Sequence, residues 1–488
     1  MIPLTLAEIA DATGGKLHNG DVTTLVTGTV EFDSRRIGPG GLFVALPGDR
    51  VDGHDFAERA VARGAVGVLA ARPVTVPAVV VPPVTDAHVR SVALTGDTDG
   101  SGAAVLAGLA RLARATVDRL APRGLVVVGV TGSSGKTSTK DLIAQVLEPM
   151  GPTVAPPGSF NNELGHPWTV LRADEDTRHL VLELSARGPG HIEALCATAP
   201  PRIGVVLNVG TAHLGEFGSR EDIARTKGEL AEALPDAEHG GVAILNADDP
   251  LVRAMADRTK AKVVLVGESP DAQVRAADVE LDDHARATFT LITPRGREKV
   301  TLGLHGGHHV GNALAAAAVG LELGASPAEV SARLQRARRL SARRMEVTTR
   351  ADDVTVVNDS YNANPESVGA ALRTLARMSD GGRRRTWAVL GVMGELGDEG
   401  SAAHEQIGRL ATRLSIDRVV VVDEQASGIQ HGARLEGTKG EEPVLVPDVE
   451  AAIALLNTEL RPGDVVLVKA SKVAALWRVA DALLEAGA

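Results

Sequence analysis

The run Leu125-Val126-Val127-Val128-Gly129-Val130 leads directly into Thr131-Gly132-Ser133-Ser134-Gly135-Lys136-Thr137-Ser138, and no other segment restricts the possible folds as strongly. A short β-branched apolar run suits a strand buried on both faces, and a glycine turn followed by Lys-Thr suits a strand-to-helix connection that wraps an anion. In such a turn the glycines let backbone N–H groups point at phosphate oxygens. Lys136 adds a point charge, Thr137 offers a hydroxyl to Mg²⁺, and a helix starting near Ser138 directs its positive end at the same anion. The candidate triphosphate-binding set is Gly132, Ser133, Ser134, Gly135, Lys136, Thr137 and Ser138. The spacing T-G-x-x-G-K-T is narrower than the general G-x-x-x-x-G-K-S/T, because position 130 is Val and the nearest glycines are Gly129 and Gly132. A glycine-rich turn alone is often only a turn; the added Lys-Thr between strand and helix favours the phosphate reading.

Strand-helix alternation continues on both sides of this junction. The 488 residues predict three domains, at about 150 residues each, and with aromatics at only 2% their cores must be built from Val, Leu, Ile and Ala. A formal net charge of −11 argues against a general nucleic-acid surface and fits a protein that handles small anions through local basic groups. Cys196 is the only cysteine, which excludes an internal disulfide and a cysteine metal cage and fits a reducing compartment. Met1–Gly15 is amphipathic with Glu8 and Asp11, and no 18-residue apolar run occurs, so the expectation is a cytoplasmic protein without a membrane segment.

Before the phosphate turn, strands are expected near residues 42–46, 66–70 and 78–81 with a helix near 56–63, and the loop Gly96–Gly102 marks a first boundary. A helix near 103–120 then leads into the central strands, expected at 125–130, 179–184, 203–209, 242–246 and 262–266. Strands alternating with helices imply a parallel sheet. From Val274 to Leu304 the pattern changes to short alternating strands, followed by an Ala-rich helix at 310–323. Ser326-Pro327-Ala328-Glu329 carries an N-cap Ser, a Pro at the first helical position and Glu at the third. The basic stretch Arg336–Arg344 marks the second boundary, and strands near 354–358, 387–390, 418–422, 444–446 and 465–468 form a third α/β run. The expected domains are 1–100, 101–338 and 339–488.

In open parallel sheets ligands gather at the carboxyl ends of the strands. Glu183 ends one strand, where it can join Thr137 on a magnesium ion, although a lone Glu is as often solvated. His213 lies in the loop after the next strand, where a histidine is more often structural, and Lys227 lies on the following helix. Helix spacing alone reads Lys227 as an exposed lysine paired with Glu229 or Glu232.

Thr131–Ser138, Glu183, Asn208–Ser219 and Lys227-Gly228-Glu229-Leu230 together resemble the ATP-dependent Mur ligases of peptidoglycan synthesis, and the resemblance covers nearly the whole chain. Gly307-His308-His309-Val310-Gly311-Asn312 is similar to the family's G-x-H-N-x-x-N adenine-side segment with His309 in place of Asn, which leaves Asn312 as the nucleotide contact. Asn358–Pro365 and Leu390–Gly397 match the third domain; Val468-Lys469-Ala470-Ser471-Lys472 departs from V-K-G-S-R at two positions and is given no role. Asp33–Leu46 and Asp52–Phe56 resemble the uridine-nucleotide domain of the members that add the third residue or the final dipeptide. The D-N-P-R of the diaminopimelate-adding enzyme is absent, and Asn358-Asp359-Ser360-Tyr361-Asn362-Ala363-Asn364-Pro365 points to the dipeptide-adding branch.

The resemblance implies an α/β architecture of three domains: an N-terminal UDP-substrate domain, a central P-loop ATPase domain with a parallel sheet, and a C-terminal Rossmann-like domain. It implies an ATP-dependent ligase that activates a carboxylate as an acyl phosphate and couples UDP-N-acetylmuramoyl-tripeptide to D-Ala-D-Ala. The implied catalytic residues are Lys136, Glu183, His213 and Lys227. Asn312, Arg344 and Asp359 would join the phosphate loop in binding ATP, and Ser34, Arg35, Asn161, Asn162, Asn362 and Asn364 would contact the other substrates. Two Mg²⁺ ions would be held by Thr137, Glu183, His213 and Lys227, the last carbamylated by CO₂. The implied partners are small molecules, with no nucleic acid, and the chain is expected to act as a monomer. Two alternatives stay open, a different amide ligase such as a third-residue-adding or folylpolyglutamate-type enzyme, and a non-catalytic nucleotide-binding switch.

Overall fold

The computed structural model describes residues 1–48, 51–84, 94, 97, 99–211, 214–437 and 440–486. Three largely parallel sheets follow one another along the chain. The first has five strands in the spatial order Lys16–His18, Ala78–Val80, Ala65–Ala70, Gly41–Val44 and Val30–Glu31, antiparallel only between the first two. The loop expected to bound it falls partly on residues outside those described. The helix after it, Ser101–Leu120, turns Val105, Leu109, Leu112 and Val117 inward at helical spacing. Those residues belong to one core with Leu6, Ile9 and Leu69 of the first unit and with Val127 and Leu182 of the second. The helix is therefore a plate shared by two units.

The central sheet has nine strands, ordered Gly296–His305, Arg286–Thr293, Val274–Leu281, Lys262–Gly267, Val242–Asn246, Ile203–Val206, Val126–Thr131, His179–Glu183 and Thr153–Val154. The phosphate-loop strand lies inside it, parallel to His179–Glu183 on one side and Ile203–Val206 on the other. All of Val126–Thr131 is buried, as an unbroken β-branched run requires when both faces of a sheet are covered. The chain from Val274 to His305 differs from the expected short strands. It forms an antiparallel meander of 8, 8 and 10 residues, whose polar outward positions, such as Arg297 and Lys299, interrupt the apolar signal without interrupting the ladder. The strand expected at 203–209 stops at Val206, because Asn208 and Gly210 spend their hydrogen bonds on the phosphate loop.

The third sheet has six strands, ordered Glu346–Thr349, Thr355–Asn358, Val465–Lys469, Thr386–Leu390, Arg418–Val422 and Val444–Val446, antiparallel only between the first two. Ahead of it the helix Pro327–Arg336 starts as its sequence signature predicts: Ser326 and Glu329 exchange side-chain and backbone bonds in a capping box, worth about 0.5–2 kcal/mol. The strands Val126–Thr131, His179–Glu183, Thr355–Asn358 and Val465–Lys469 all send their carboxyl ends toward one cleft, and that convergence builds the site.

Candidate active site

Gly135 has φ +81° at the start of the helix Lys136–Leu147, and a Cβ there would lie 2.8 Å from Asn312 Oδ1, so conformation and space both call for glycine. Lys136 Nζ donates to the Gly132 carbonyl at 2.7 Å. Asn208 braces the loop from outside: its Oδ1 accepts from Ser134 N–H at 2.9 Å and its Nδ2 donates to the Ser134 carbonyl at 3.1 Å. Gly210 N–H donates to Ser133 Oγ at 2.9 Å. The loop is thus held in shape by its neighbours, as a site that stabilises charge by preorganisation needs.

Beside it, the Thr137 hydroxyl donates to Glu183 Oε2 at 3.0 Å, and Asn161 Nδ2 donates to Oε1 at 2.7 Å. Ser159 Oγ stands 2.6 Å from Thr137 Oγ1. The Arg344 guanidinium reaches both hydroxyl oxygens, at 3.1 and 3.2 Å, and stacks 4.1 Å over the Tyr361 ring. A cation from the third unit therefore meets two hydroxyls of the central one, one of which donates to the Glu183 carboxylate. Burial pulls the Lys136 ammonium below its ordinary range against the opposing pull of Glu183, with Arg344 lowering it further.

The third unit contributes a second buried ion pair. Lys469 Nζ donates to Asp359 Oδ2 at 2.6 Å and to the Asn362 carbonyl at 2.9 Å, while Asp359 Oδ1 accepts from Met345 N–H at 3.0 Å. Burial lowers the Lys469 pKa and Asp359 opposes that shift. Glu366 Oε1 accepts from Thr211 N–H and Oγ1 at 2.7 and 3.0 Å, and a Cβ at Gly210 would come within 2.6 Å of that carboxylate. A side chain at position 210 would push the Glu366 carboxylate off Thr211 and so remove this bond between the third unit and the loop after the phosphate site. Between the units lies a cavity of ≈ 560 Å³, lined on one side by Lys136, Thr137, Glu183 and Asn312 and on the other by Arg344, Asp359, Asn362 and Lys469.

The structure brings Ser133, Ser134, Gly135, Lys136, Thr137, Ser138, Asn161, Glu183, Asn312, Arg344, Asp359, Asn362 and Asn364 to this cavity. Asn364 also caps the helix Pro365–Arg377 through a bond from Ser367 N–H at 2.9 Å. Asn162 is not among the lining residues; its Oδ1 accepts from Gly165 N–H at 2.9 Å at the start of a helix. Ser34 is buried and Arg35 is exposed, paired with Asp33 at 2.9 Å, and neither lines the cavity. Their turn follows Phe32, which packs on Trp168 and Phe160, so it is anchored beside the segment carrying Asn161 and Asn162. His309 is buried against Asn312, 3.3 Å from its Nδ2.

Lys227 departs from what its helix spacing suggests. It is buried rather than exposed, and the carboxylates proposed as its partners are occupied elsewhere: Glu229 accepts from Gly190 N–H at 2.7 Å and Glu232 pairs with Arg258 at 2.9 Å. Burial, with Lys136 nearby, pushes its amine down to about 7. His213 lies outside the described residues. Among the described residues no group of three or more His, Cys, Asp or Glu side chains is arranged to hold a metal ion. Sequence reasoning missed Ser159, Glu366, Tyr361, Lys469, Ser471 and Lys472, all of which line the cavity. The V-K-A-S-K run was the available signal for the last three.

Three family models match the chain: "Mur ligase family, catalytic domain" over residues 28–112, "Mur ligase middle domain" over 130–320, and "Mur ligase, glutamate ligase domain" over 343–472. A Mycobacterium tuberculosis (strain H37Rv) protein named UDP-N-acetylmuramoyl-tripeptide--D-alanyl-D-alanine ligase is 57% identical, the match covering 99% of this chain and 98% of that protein. A crystal structure of MurF from Acinetobacter baumannii superposes with a TM-score of 0.83 at 30% identity, covering 99% of both chains. MurF ligase from Thermotoga maritima in complex with ADP gives 0.75 at 29% identity, covering 94% of this chain and 98% of that one.

Proposed function

The chain belongs to the Mur ligase family, and from that premise we infer that it joins D-alanyl-D-alanine to UDP-N-acetylmuramoyl-tripeptide with conversion of ATP to ADP and phosphate. The observation that carries this reading is the single cavity shared by the phosphate loop and by Arg344, Asp359, Asn362 and Lys469 of the third unit. A nucleotide switch needs only the first set; a ligase must bring an activated carboxylate and an amine together.

A free carboxylate is a poor acyl donor, because its leaving group would be oxide. Transfer of the γ-phosphoryl group to the tripeptide carboxylate gives an acyl phosphate and ADP. The dipeptide amine then attacks the acyl carbon, the tetrahedral intermediate expels phosphate, and the nitrogen loses a proton. Phosphoryl transfer is chiefly a matter of positioning and charge neutralisation. The loop amides, Lys136 and Arg344 surround the phosphates, Asn312 and Asp359 belong to the nucleotide side, and Ser34, Arg35, Asn161 and Asn162 to the UDP-tripeptide side. Asn362 and Asn364 face the incoming amine.

The Thr137 hydroxyl and Glu183 carboxylate are adjacent hard oxygen donors, 3.0 Å apart, and the Arg344 guanidinium already donates to the hydroxyl at 3.2 Å, so the place suits Mg²⁺. Thr137, Glu183, His213 and carbamylated Lys227 would hold it. When bound, two such ions supply neutralisation of the phosphate charge. A buried amine with a pKa of about 7 is substantially unprotonated, and the neutral form is the one that adds CO₂, giving a carbamate and releasing a proton. No helix among the described residues is long and apolar enough to cross a membrane; the enzyme works in the cytoplasm, as a monomer.

In a phosphate-release assay with ATP, release will rise when UDP-N-acetylmuramoyl-tripeptide and D-Ala-D-Ala are both present. A folate with glutamate will not substitute; stimulation by that pair, or by neither, overturns the reading. Asn362 is exposed at the cavity, so Asn362→Ala is expected to raise the KM for D-Ala-D-Ala or lower kcat by about 10-fold, while stability changes by no more than about 0.5 kcal/mol. Steady-state kinetics paired with a thermal melt checks this. A fall in Tm without the kinetic change would assign the residue to its turn instead.

A further inference from the structure

The helix that opens from the phosphate loop, Lys136–Leu147, also grips the segment leading to the third sheet. Gln145 Nε2 donates to the Arg338 carbonyl at 2.9 Å, and Gln145 Oε1 accepts from Arg338 N–H at 2.9 Å. One side-chain amide thus pairs with both backbone groups of one residue, as a neighbouring strand would. One turn closer to the phosphate loop, Asp141 Oδ2 accepts from Ser341 N–H at 3.1 Å. Its other oxygen pairs with buried Lys140, which also donates to the Pro156 carbonyl at 2.7 Å.

Beyond these two contacts the backbone is unusual. Arg343 and Met345 have φ of +59° and +48°, left-handed conformations that residues with side chains rarely adopt and that persist only where the surroundings enforce them. Tyr361 N–H, donating to the Arg343 carbonyl at 3.2 Å, and Asp359 Oδ1, accepting from Met345 N–H at 3.0 Å, hold the far side. Arg344 stands between the two sets of anchors, and its guanidinium reaches Thr137 and Ser159. Gln145 itself does not line the cavity.

We propose that Gln145 is a positioning residue: by fixing the backbone of Arg338 to the phosphate-loop helix, it aims Arg344 at the transferred phosphoryl group. The proposal rests on the phosphoryl-transfer reading given above. The physical reason is leverage, since loss of the bracket frees the linker where it leaves the central unit, and displacements of about 1 Å at a charge-stabilising group suffice to slow a reaction greatly. Asp141 shares the task, but its pairing with buried Lys140 makes its removal a folding defect as well. Gln145 carries no charge and separates the two effects.

The test is a double-mutant cycle in the full-length protein, with kcat, KM and Tm measured for Gln145→Ala, Gln145→Glu, Arg344→Ala and Gln145→Ala/Arg344→Ala. Gln145→Ala should lower kcat roughly 5–10-fold with KM for ATP and Tm near those of the unaltered protein, and Gln145→Glu, which keeps only the acceptor, should fall between. In the Arg344→Ala background the same change should cost less than about 2-fold, because residues acting through one another are not additive. Equal losses in both backgrounds, or full turnover by Gln145→Ala, overturns the proposal. If Gln145→Ala does not fold, Gln145→Glu carries the same cycle. Full activity of Arg344→Ala would remove the phosphoryl-transfer role of Arg344 and the proposal with it, an outcome distinct from non-coupling.

Discussion

Lys136→Ala is expected to lower ligation by about 10²-fold or more, about 2.7 kcal/mol of transition-state stabilisation, without unfolding the protein. The side chain is half-buried at the cavity wall, and among the described residues its ammonium donates to the Gly132 carbonyl, so its removal opens no gap in a hydrophobic core. What is lost is a positive charge at the point where the γ-phosphoryl group accumulates negative charge. Measured kcat/KM together with circular dichroism separates the two effects. Turnover close to that of the unaltered protein would remove the phosphate-cradle assignment and everything built upon it.

Lys227→Ala is expected to abolish activity, and stripping CO₂ and bicarbonate from the unaltered enzyme is expected to depress activity reversibly. A bare ammonium would repel both Lys136 and a metal ion; a carbamate replaces that repulsion with oxygen donors. The sign of the pH dependence follows from the lowered amine. Between about 7 and 10.5 the unfolded chain holds a proton on Lys227 that the folded chain does not, so this group's contribution to stability grows as pH rises through that window and is absent below it. Carbamate formation releases a proton as well. Activity should therefore fall as pH drops through about 7, and added bicarbonate at fixed pH should restore part of it. With ¹³C-bicarbonate, an NMR carbamate signal present in the unaltered protein and missing from Lys227→Ala would support the assignment; a bicarbonate-independent enzyme without that signal would contradict it.

The phosphate loop was legible because all its parts are contiguous: strand, glycines, Lys136 and Thr137 sit within one short segment, and local geometry is set by local sequence. Glu183 was legible as an acid at a strand end, although its bonds to Thr137 and Asn161 were not. The braces from Asn208 to Ser134 and from Glu366 to Thr211 span separations of 74 and 155 residues, and no periodicity reports such contacts. Lys227 shows the opposite error. Its helix is mostly polar, so spacing placed the lysine in solvent, whereas the fold buries it near Lys136. Lys469 was passed over because the surrounding run departs from the family pattern, yet the pairing of its ammonium with Asp359 fixes the loop that carries Asn362. The alternation from Val274 to Leu304 was legible because one face of each strand is buried and the other is not, as in Arg286–Thr293; the strands are longer than expected, at 8, 8 and 10 residues, because their outward polar positions interrupt the apolar signal without ending the ladder.

In the proposed reaction one cavity couples ATP cleavage to amide formation between a muramoyl-peptide carboxylate and a dipeptide amine. Mass spectrometry of the product formed from UDP-N-acetylmuramoyl-tripeptide, ATP and D-Ala-D-Ala tests it most directly. The expected result is a single new species with the mass of the nucleotide tripeptide plus D-Ala-D-Ala less one water, formed in equal amount with ADP and phosphate. ADP accumulating with no such species, or a product that incorporates a single amino acid in place of the dipeptide, would contradict it.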